Sequence, residues 1–195
     1  MRREIKEEYE NWFGGAFKGT KTIAFTLNFR QRLPGRWLTD HQTGTKTYYQ
    51  PEKLTEKQAL ATYLRWYNGL CRKAFGSKAM ARNDPARLQH VVIKEGKVSR
   101  DDHTATQFHL HGVIEVPKGI RISDWEEICE SDWTRLPWGD PKSHDFTQYR
   151  DEGWFEYMLK RSTKDDLEGS ILLDIIHLDA DAKCSRRSPA PSLHP

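Results

Sequence analysis

Residues 106–116 read T-Q-F-H-L-H-G-V-I-E-V, and the alternation in this run constrains the chain more than any other feature. In an extended strand, successive side chains point to opposite faces of the sheet. Phe108, Leu110 and Ile114 therefore share one face, and His109 and His111 share the other. The apolar set needs helices to cover it. The two imidazoles stand side by side, at a spacing that lets both reach one metal ion. Two histidines on a solvated sheet face would give the same pattern, so the pair gains meaning only from its surroundings.

Periodicity places the other elements around this strand. Residues 1–13 predict a short helix with Ile5, Tyr9 and Trp12 on one stripe. Residues 20–30 alternate, with Ile23, Phe25, Leu27 and Phe29 on one face of a half-buried strand. Residues 31–52 carry Pro34, Gly35, Gly44 and Pro51 and predict a long loop, with T-K-T-Y-Y a candidate short strand. Thr55 precedes a helix to Phe75, striped by Leu60, Tyr63, Leu64, Tyr67 and Leu70 and ended by Gly76. A strand over 89–98 pairs with the 106–116 strand as an extended antiparallel hairpin. Ser123 caps a helix through Trp125, Ile128 and Cys129 to Trp133. A fourth strand over 144–150, a helix opened by Asp151, and a last strand over 171–178 complete the series. This order, β-α-β-β-α-β-α-β with hairpin neighbours, predicts an α+β domain over 1–178: a central antiparallel sheet with flanking helices. The Pro- and Ser-rich residues 179–195 are expected to be a disordered tail.

Composition narrows the partners. The most apolar stretch, 170–178, is too short to cross a bilayer, and the charged start M-R-R-E-I-K-E-E-Y-E-N-W has no secretory pattern. A cytoplasmic protein without a membrane partner is expected. The formal charge of +3 permits a nucleic-acid partner without requiring one, because phosphate affinity depends on where the charge sits. Cys71, Cys129 and Cys184 are odd in number and far apart, so free thiols are expected.

A second segment bears chemistry. W-F-E-Y-M-L-K, residues 154–160, reads as a helix on which Tyr157 and Lys160, three apart, share a face. Trp154, Phe155, Met158 and Leu159 can hold that helix to the core. A tyrosine hydroxyl, with an ordinary pKa of about 10, is a poor nucleophile unless a metal polarises the phosphate it attacks. Tyr157 as a packing residue, with Lys160 paired to Glu156, is the competing reading.

Together the segments resemble the HUH endonucleases, and most closely the single-tyrosine rolling-circle replication initiators. Phe25-Thr26-Leu27-Asn28 is similar to that family's first motif, His109-Leu110-His111-Gly112 to its second, and Tyr157-Met158-Leu159-Lys160 to its third. The three come in the family's order and span about residues 20–162. The resemblance implies an RRM-like, ferredoxin-like variant of the α+β fold. It implies that Tyr157 cuts single-stranded DNA, keeps the 5′-phosphate and frees a 3′-OH that can later rejoin the strand. Lys160 would add positive charge at the phosphate.

The family's third metal ligand is a Glu just before a Gly on the preceding strand, and Glu95-Gly96 matches. Simple alternation groups Glu95 with Val91 and Ile93, the expected core face, so this assignment calls for a strand end, twist or bulge; His90, on the other parity, is the rival. Two imidazoles and a carboxylate suit Mn²⁺ or Mg²⁺, and match catalytic zinc or non-haem iron as well. Asn28, Arg30, Arg32, Lys94 and Lys97 are candidate DNA contacts, and His103 is expected at the surface. The partners implied are single-stranded origin DNA, alone or in a hairpin, and, since no G-x-x-x-x-G-K-[ST] pattern supplies a helicase, a host helicase and polymerase in the host cytoplasm. Three alternatives stay open: a transposase or relaxase of the same chemistry, a nucleic-acid-binding module without activity, and a metal-dependent hydrolase or oxygenase of small molecules.

Overall fold

A computed structural model describes residues 2–40, 42–81, 85–96, 107–149, 153–162 and 168–178, without the side chains of 2–5, 160–162 and 168. The chain runs α1 (Arg2–Ala16), β1 (Thr22–Phe29), β2 (Arg32–Leu33), β3 (Arg36–Thr39), β4 (Lys46–Tyr49), β5 (Glu52–Lys53), α2 (Glu56–Phe75), α3 (Ser77–Met80), β6 (His90–Glu95), β7 (His109–Glu115), α4 (Ile122–Thr134), β8 (Gly139–Gln148) and α5 (Gly153–Ser162). It is an α+β fold built on a four-stranded antiparallel sheet in the order β6-β7-β1-β8, with helices on both faces. β1 and β6 both run antiparallel to β7, so they are parallel to each other and joined through α2; β7 and β8 are likewise joined through α4 around β1.

The two faces have separate cores. Ile23, Phe25, Leu27 and Phe29 of β1, with Phe108, Leu110 and Ile114, pack under α2 and α4. The buried positions of α2 are Ala59, Thr62, Tyr63, Trp66, Tyr67, Leu70 and Cys71. This stripe is rotated from the expected one: Leu60 and Leu64 fall to its margin because Trp66, the largest side chain, takes the centre. Thr55 and Gln58 form a reciprocal capping box that starts the helix. α4 starts one residue before Ser123, and its flanking Arg121 makes no side-chain cap. The opposite face buries Val91, Ile93 and Val113 under Tyr9, Phe13 and Phe17 of the α1 region and Phe155, Met158 and Leu159 of α5. α1 outruns the expected helix because Phe13 and Ala16 continue the buried stripe past Gly14. Cys71 and Cys129 are buried free thiols, and burial raises the pKa of each. Cys184 and the tail 179–195 lie outside the described residues.

Two expectations are overturned. Residues 31–52 are not a loop with one short strand: the candidate strand T-K-T-Y-Y is present as β4, but β2–β5 and β3–β4 pair in one constant register, Arg32 with Lys53 and Thr39 with Lys46, as a two-stranded ribbon broken only around Pro34-Gly35 and Gln50-Pro51. Prolines that would disrupt a central strand are tolerated at such an interruption. Residues 171–178 do not form a strand: single bridges Ile93–Ile171 and His90–His177 bracket a 3-10 turn at Leu173–Ile175. The segment has more residues than β6 between these bridges, so it cannot pair continuously, and Leu172, Leu173, Ile175 and Ile176 pack back on the two cores along the β6 edge.

Candidate metal centre and nucleophile

Strand register assembles the site. β6 lies against β7 with Glu95 opposite His109 and Ile93 opposite His111; β1 lies on the other side with Asn28 opposite His109 and Thr26 opposite His111. Cross-strand partners share a face, so Glu95, His109, His111, Thr26 and Asn28 all stand on the face covered in part by α1 and α5. Glu95 gets there by plain alternation, with no bulge. Val91 and Ile93 do mark a core face, but it is the histidines' own face, because both sides of the sheet are covered.

The Nε2 atoms of His109 and His111 are 2.9 Å apart, with the rings at 88°. Glu95 Oε2 lies 3.4 Å from His111 Nε2 and 3.8 Å from His109 Nε2. His109 Nδ1 is 2.7 Å from the Gln107 carbonyl, which can only accept; Nδ1 therefore carries the hydrogen and Nε2 presents its lone pair. His111 Nδ1 is 3.0 Å from Thr26 Oγ1; in the tautomer that donates to that hydroxyl, Nε2 is in the same state. Glu95 Oε2 is buried and accepts no hydrogen bond. Both histidines are under one-tenth exposed. With both Nε2 lone pairs presented, three acceptor atoms converge in a largely buried place, and a cation between them would satisfy all three. The Glu95–His109–His111 cluster, its ligand atoms all within 4.8 Å of one another, can hold a metal ion.

α5 brings Tyr157 to this cluster. Its ring packs on His111 with centroids 5.8 Å apart at 82°, and Trp154 stacks on Tyr157 at 5.3 Å and 24°. Trp154 also meets His111 edge to face and donates from Nε1 to the Gly112 carbonyl at 3.2 Å, fixing the helix over β7. Gly112 is required on the other side: a Cβ there would lie 2.2 Å from Phe25 Cζ and 2.3 Å from the Val91 carbonyl. Tyr149, the tyrosine before Tyr157 in the chain, packs on Phe155.

The remaining predicted residues divide. Asn28 is half-buried beside His109, and Arg30 and Arg32 are exposed just past the end of β1. Lys94 is not brought to this face: it alternates to the α2 side and its Nζ lies 2.6 Å from Glu56 Oε1. Lys97, His103 and the Lys160 side chain lie outside the described residues. His90 is excluded as a ligand of this cluster, because it points to the opposite face, its ring 3.9 Å from that of Tyr67. Burial there drives its pKa down to about 3, with His177 and Arg87 adding to the effect. Thr26 and Trp154 were not anticipated as parts of the site. Thr26 stood in plain view inside F-T-L-N, but its role depends on which strand pairs with β7 and in what register.

No family model matches this chain, nor does any curated protein or solved structure. Among the described residues, no helix is long and apolar enough to cross a membrane.

Proposed function

We propose that the protein is a metal-dependent, site-specific single-stranded DNA endonuclease and strand-joining enzyme of the HUH type, serving to initiate rolling-circle replication of a plasmid, phage or virus. The observation that carries this reading is the packing of Tyr157 on His111, a member of the Glu95–His109–His111 cluster, while Thr26 holds the same histidine from β1. Segments far apart in the chain thus meet at one imidazole, as a tyrosine nuclease requires and a solvated histidine pair does not. The interleaved β1-α2-β6 and β7-α4-β8 units support a ferredoxin-like, RRM-like reading of the fold.

Glu95, His109 and His111 would hold Mn²⁺ or Mg²⁺, which when bound polarises a phosphodiester and stabilises charge on its oxygens. Tyr157 Oη then forms a bond to phosphorus while the P–O3′ bond breaks. The phenolic proton passes through solvent to the leaving 3′ oxygen, and the 5′-phosphate stays on Tyr157. Reversal by another 3′-OH rejoins the strand. Trp154 orients the tyrosine by stacking, and Thr26 orients His111. Asn28, opposite His109, and Arg30, exposed just past β1, would meet the strand beside the cluster. A carboxylate as third ligand favours an initiator over a relaxase, in which a third histidine is common.

The test mixes the protein with Mn²⁺ and labelled single-stranded oligonucleotides from its own replicon's origin, beside Tyr157→Phe and an EDTA control. A slow-migrating covalent band on a denaturing gel, lost in both controls, is expected. Absence of any adduct despite tight DNA binding would retire the nuclease in favour of a binding module.

A further inference from the structure

The β2–β5 ribbon departs from the end of the sheet that bears the cluster: Asn28, opposite His109, lies four residues before Arg32. It projects large side chains into solvent. Trp37 is 67% exposed, and Tyr48 and Tyr49 are nearly half exposed. Trp37 and Tyr48 cover part of each other, yet most of the Trp37 ring stays in water, which is costly. Trp37 and Tyr48 are cross-strand partners, their ring centroids 5.1 Å apart. Alternation puts them on one face with Thr39 and Lys46, and Arg36 and Tyr49 on the other. The latter pair lines a cleft of about 240 Å³ against α2, with Arg65, so the Trp37–Tyr48 face is the one turned away from that helix.

Charge selects the occupant. Residues 30–53 hold five Lys or Arg against two acids. Both acids are engaged: Asp40 Oδ1 accepts from the Gln42 and Thr43 amides in the turn, and Glu52 accepts from Gln58. Arg30, Arg32, Arg36 and Lys46 form no ion pair among the described residues. A second copy of this ribbon would repel it, whereas a polyanion is drawn to it. Exposed ring faces beside unpaired cations match bases whose own faces are bare, and those occur in a single strand and not in a duplex.

We propose that the ribbon is a single-stranded-DNA platform on which Trp37 and Tyr48 stack unpaired bases flanking the cleavage site, with Lys46, on the same face, on an adjoining phosphate. This rests on the nuclease reading for the identity of the polyanion. Trp37 is nine residues from Asn28, hence within about 30 Å of it along the chain, and single-strand sites commonly cover roughly 4–16 nucleotides.

The experiment measures anisotropy of a labelled mixed-sequence single-stranded 20-mer with the full chain in EDTA, so that no cleavage contributes. Trp37→Ala should weaken binding about tenfold, and Trp37→Ala with Tyr48→Ala further. Lys46→Gln should lower the slope of log affinity against log salt by about 0.7. A duplex of the same sequence should be insensitive to the aromatic changes. Single-strand affinity within twofold of the parent in the double variant would overturn the proposal. So would an equal loss on duplex, or a parent that is a dimer and becomes a monomer in the variant. The covalent-adduct assay on the unaltered chain reports separately: adducts with unchanged variant affinity sink the ribbon alone, whereas no adduct with lost affinity sinks the nuclease alone.

Discussion

His90 and His111 are in neighbouring strands and are both buried, yet they are opposite cases. His90 faces α2 among Tyr63 and Tyr67, and neither ring nitrogen has a well-formed hydrogen bond. His111 faces α5 with Thr26 on one nitrogen and His109 and Glu95 around the other. Burial of a histidine therefore says little about function. What separates the two is whether lone pairs converge and whether a neighbour sets the tautomer.

The sharpest break of this comparison is metal affinity. His111→Ala should weaken Mn²⁺ binding by at least about a thousandfold in calorimetry, since changes to supporting groups alone typically cost 10–100-fold. His90→Leu should leave it unchanged. Equal losses would mean that the two faces are not independent and that the cluster is not the site.

Gly112 lies between the two faces, its missing Cβ directed at Phe25 and its carbonyl held by Trp154. Gly112→Ala must displace a ring and a backbone carbonyl. We expect a loss of about 3 kcal/mol, at the upper end for overpacking, read as a shift in the urea midpoint. A shift below about 1 kcal/mol would mean that the sheet flexes there and that the close approach is not needed.

The pH dependence of stability tests the other face. The fold holds His90 neutral down to about pH 3, whereas the unfolded chain takes up that proton below about 6.5. The unfolded state thus binds more protons in this window, so stability is complete above about 6.5 and falls as the pH drops towards 3. The slope is up to about 1.4 kcal/mol per pH unit, giving roughly 2 kcal/mol by pH 5. In His90→Leu this part of the urea-midpoint profile should flatten; an unchanged acid slope would assign it to other groups.

Much of the sheet was legible in the sequence, because Phe25, Leu27, Phe108 and Leu110 alternate as a covered strand must. The cluster's two histidines were legible for the same reason. Glu95 was harder. Hydrophobic alternation separates buried from exposed faces, but a sheet covered on both sides has no exposed face to contrast, so Val91 and Ile93 pointed the wrong way. Of the ribbon only the T-K-T-Y-Y strand was legible; its partner was hidden by Pro34 and Pro51, and by the exposure of both strands, which leaves no apolar stripe to read.

The smallest expected effect is the most specific to the comparison. Thr26→Val keeps the side-chain shape and removes the hydroxyl that meets His111 Nδ1. With no partner there, His111 can place its hydrogen on either nitrogen, and the form with Nε2 protonated cannot donate a lone pair to the cluster. Mn²⁺ affinity should fall about tenfold, the low end for a group behind a ligand. The cost should shrink in Thr26→Ser, which restores the hydroxyl without the methyl group. Equal losses in Val and Ser would mean that Thr26 acts by packing alone, and His111 would then differ from His90 only in its neighbours on the Nε2 side.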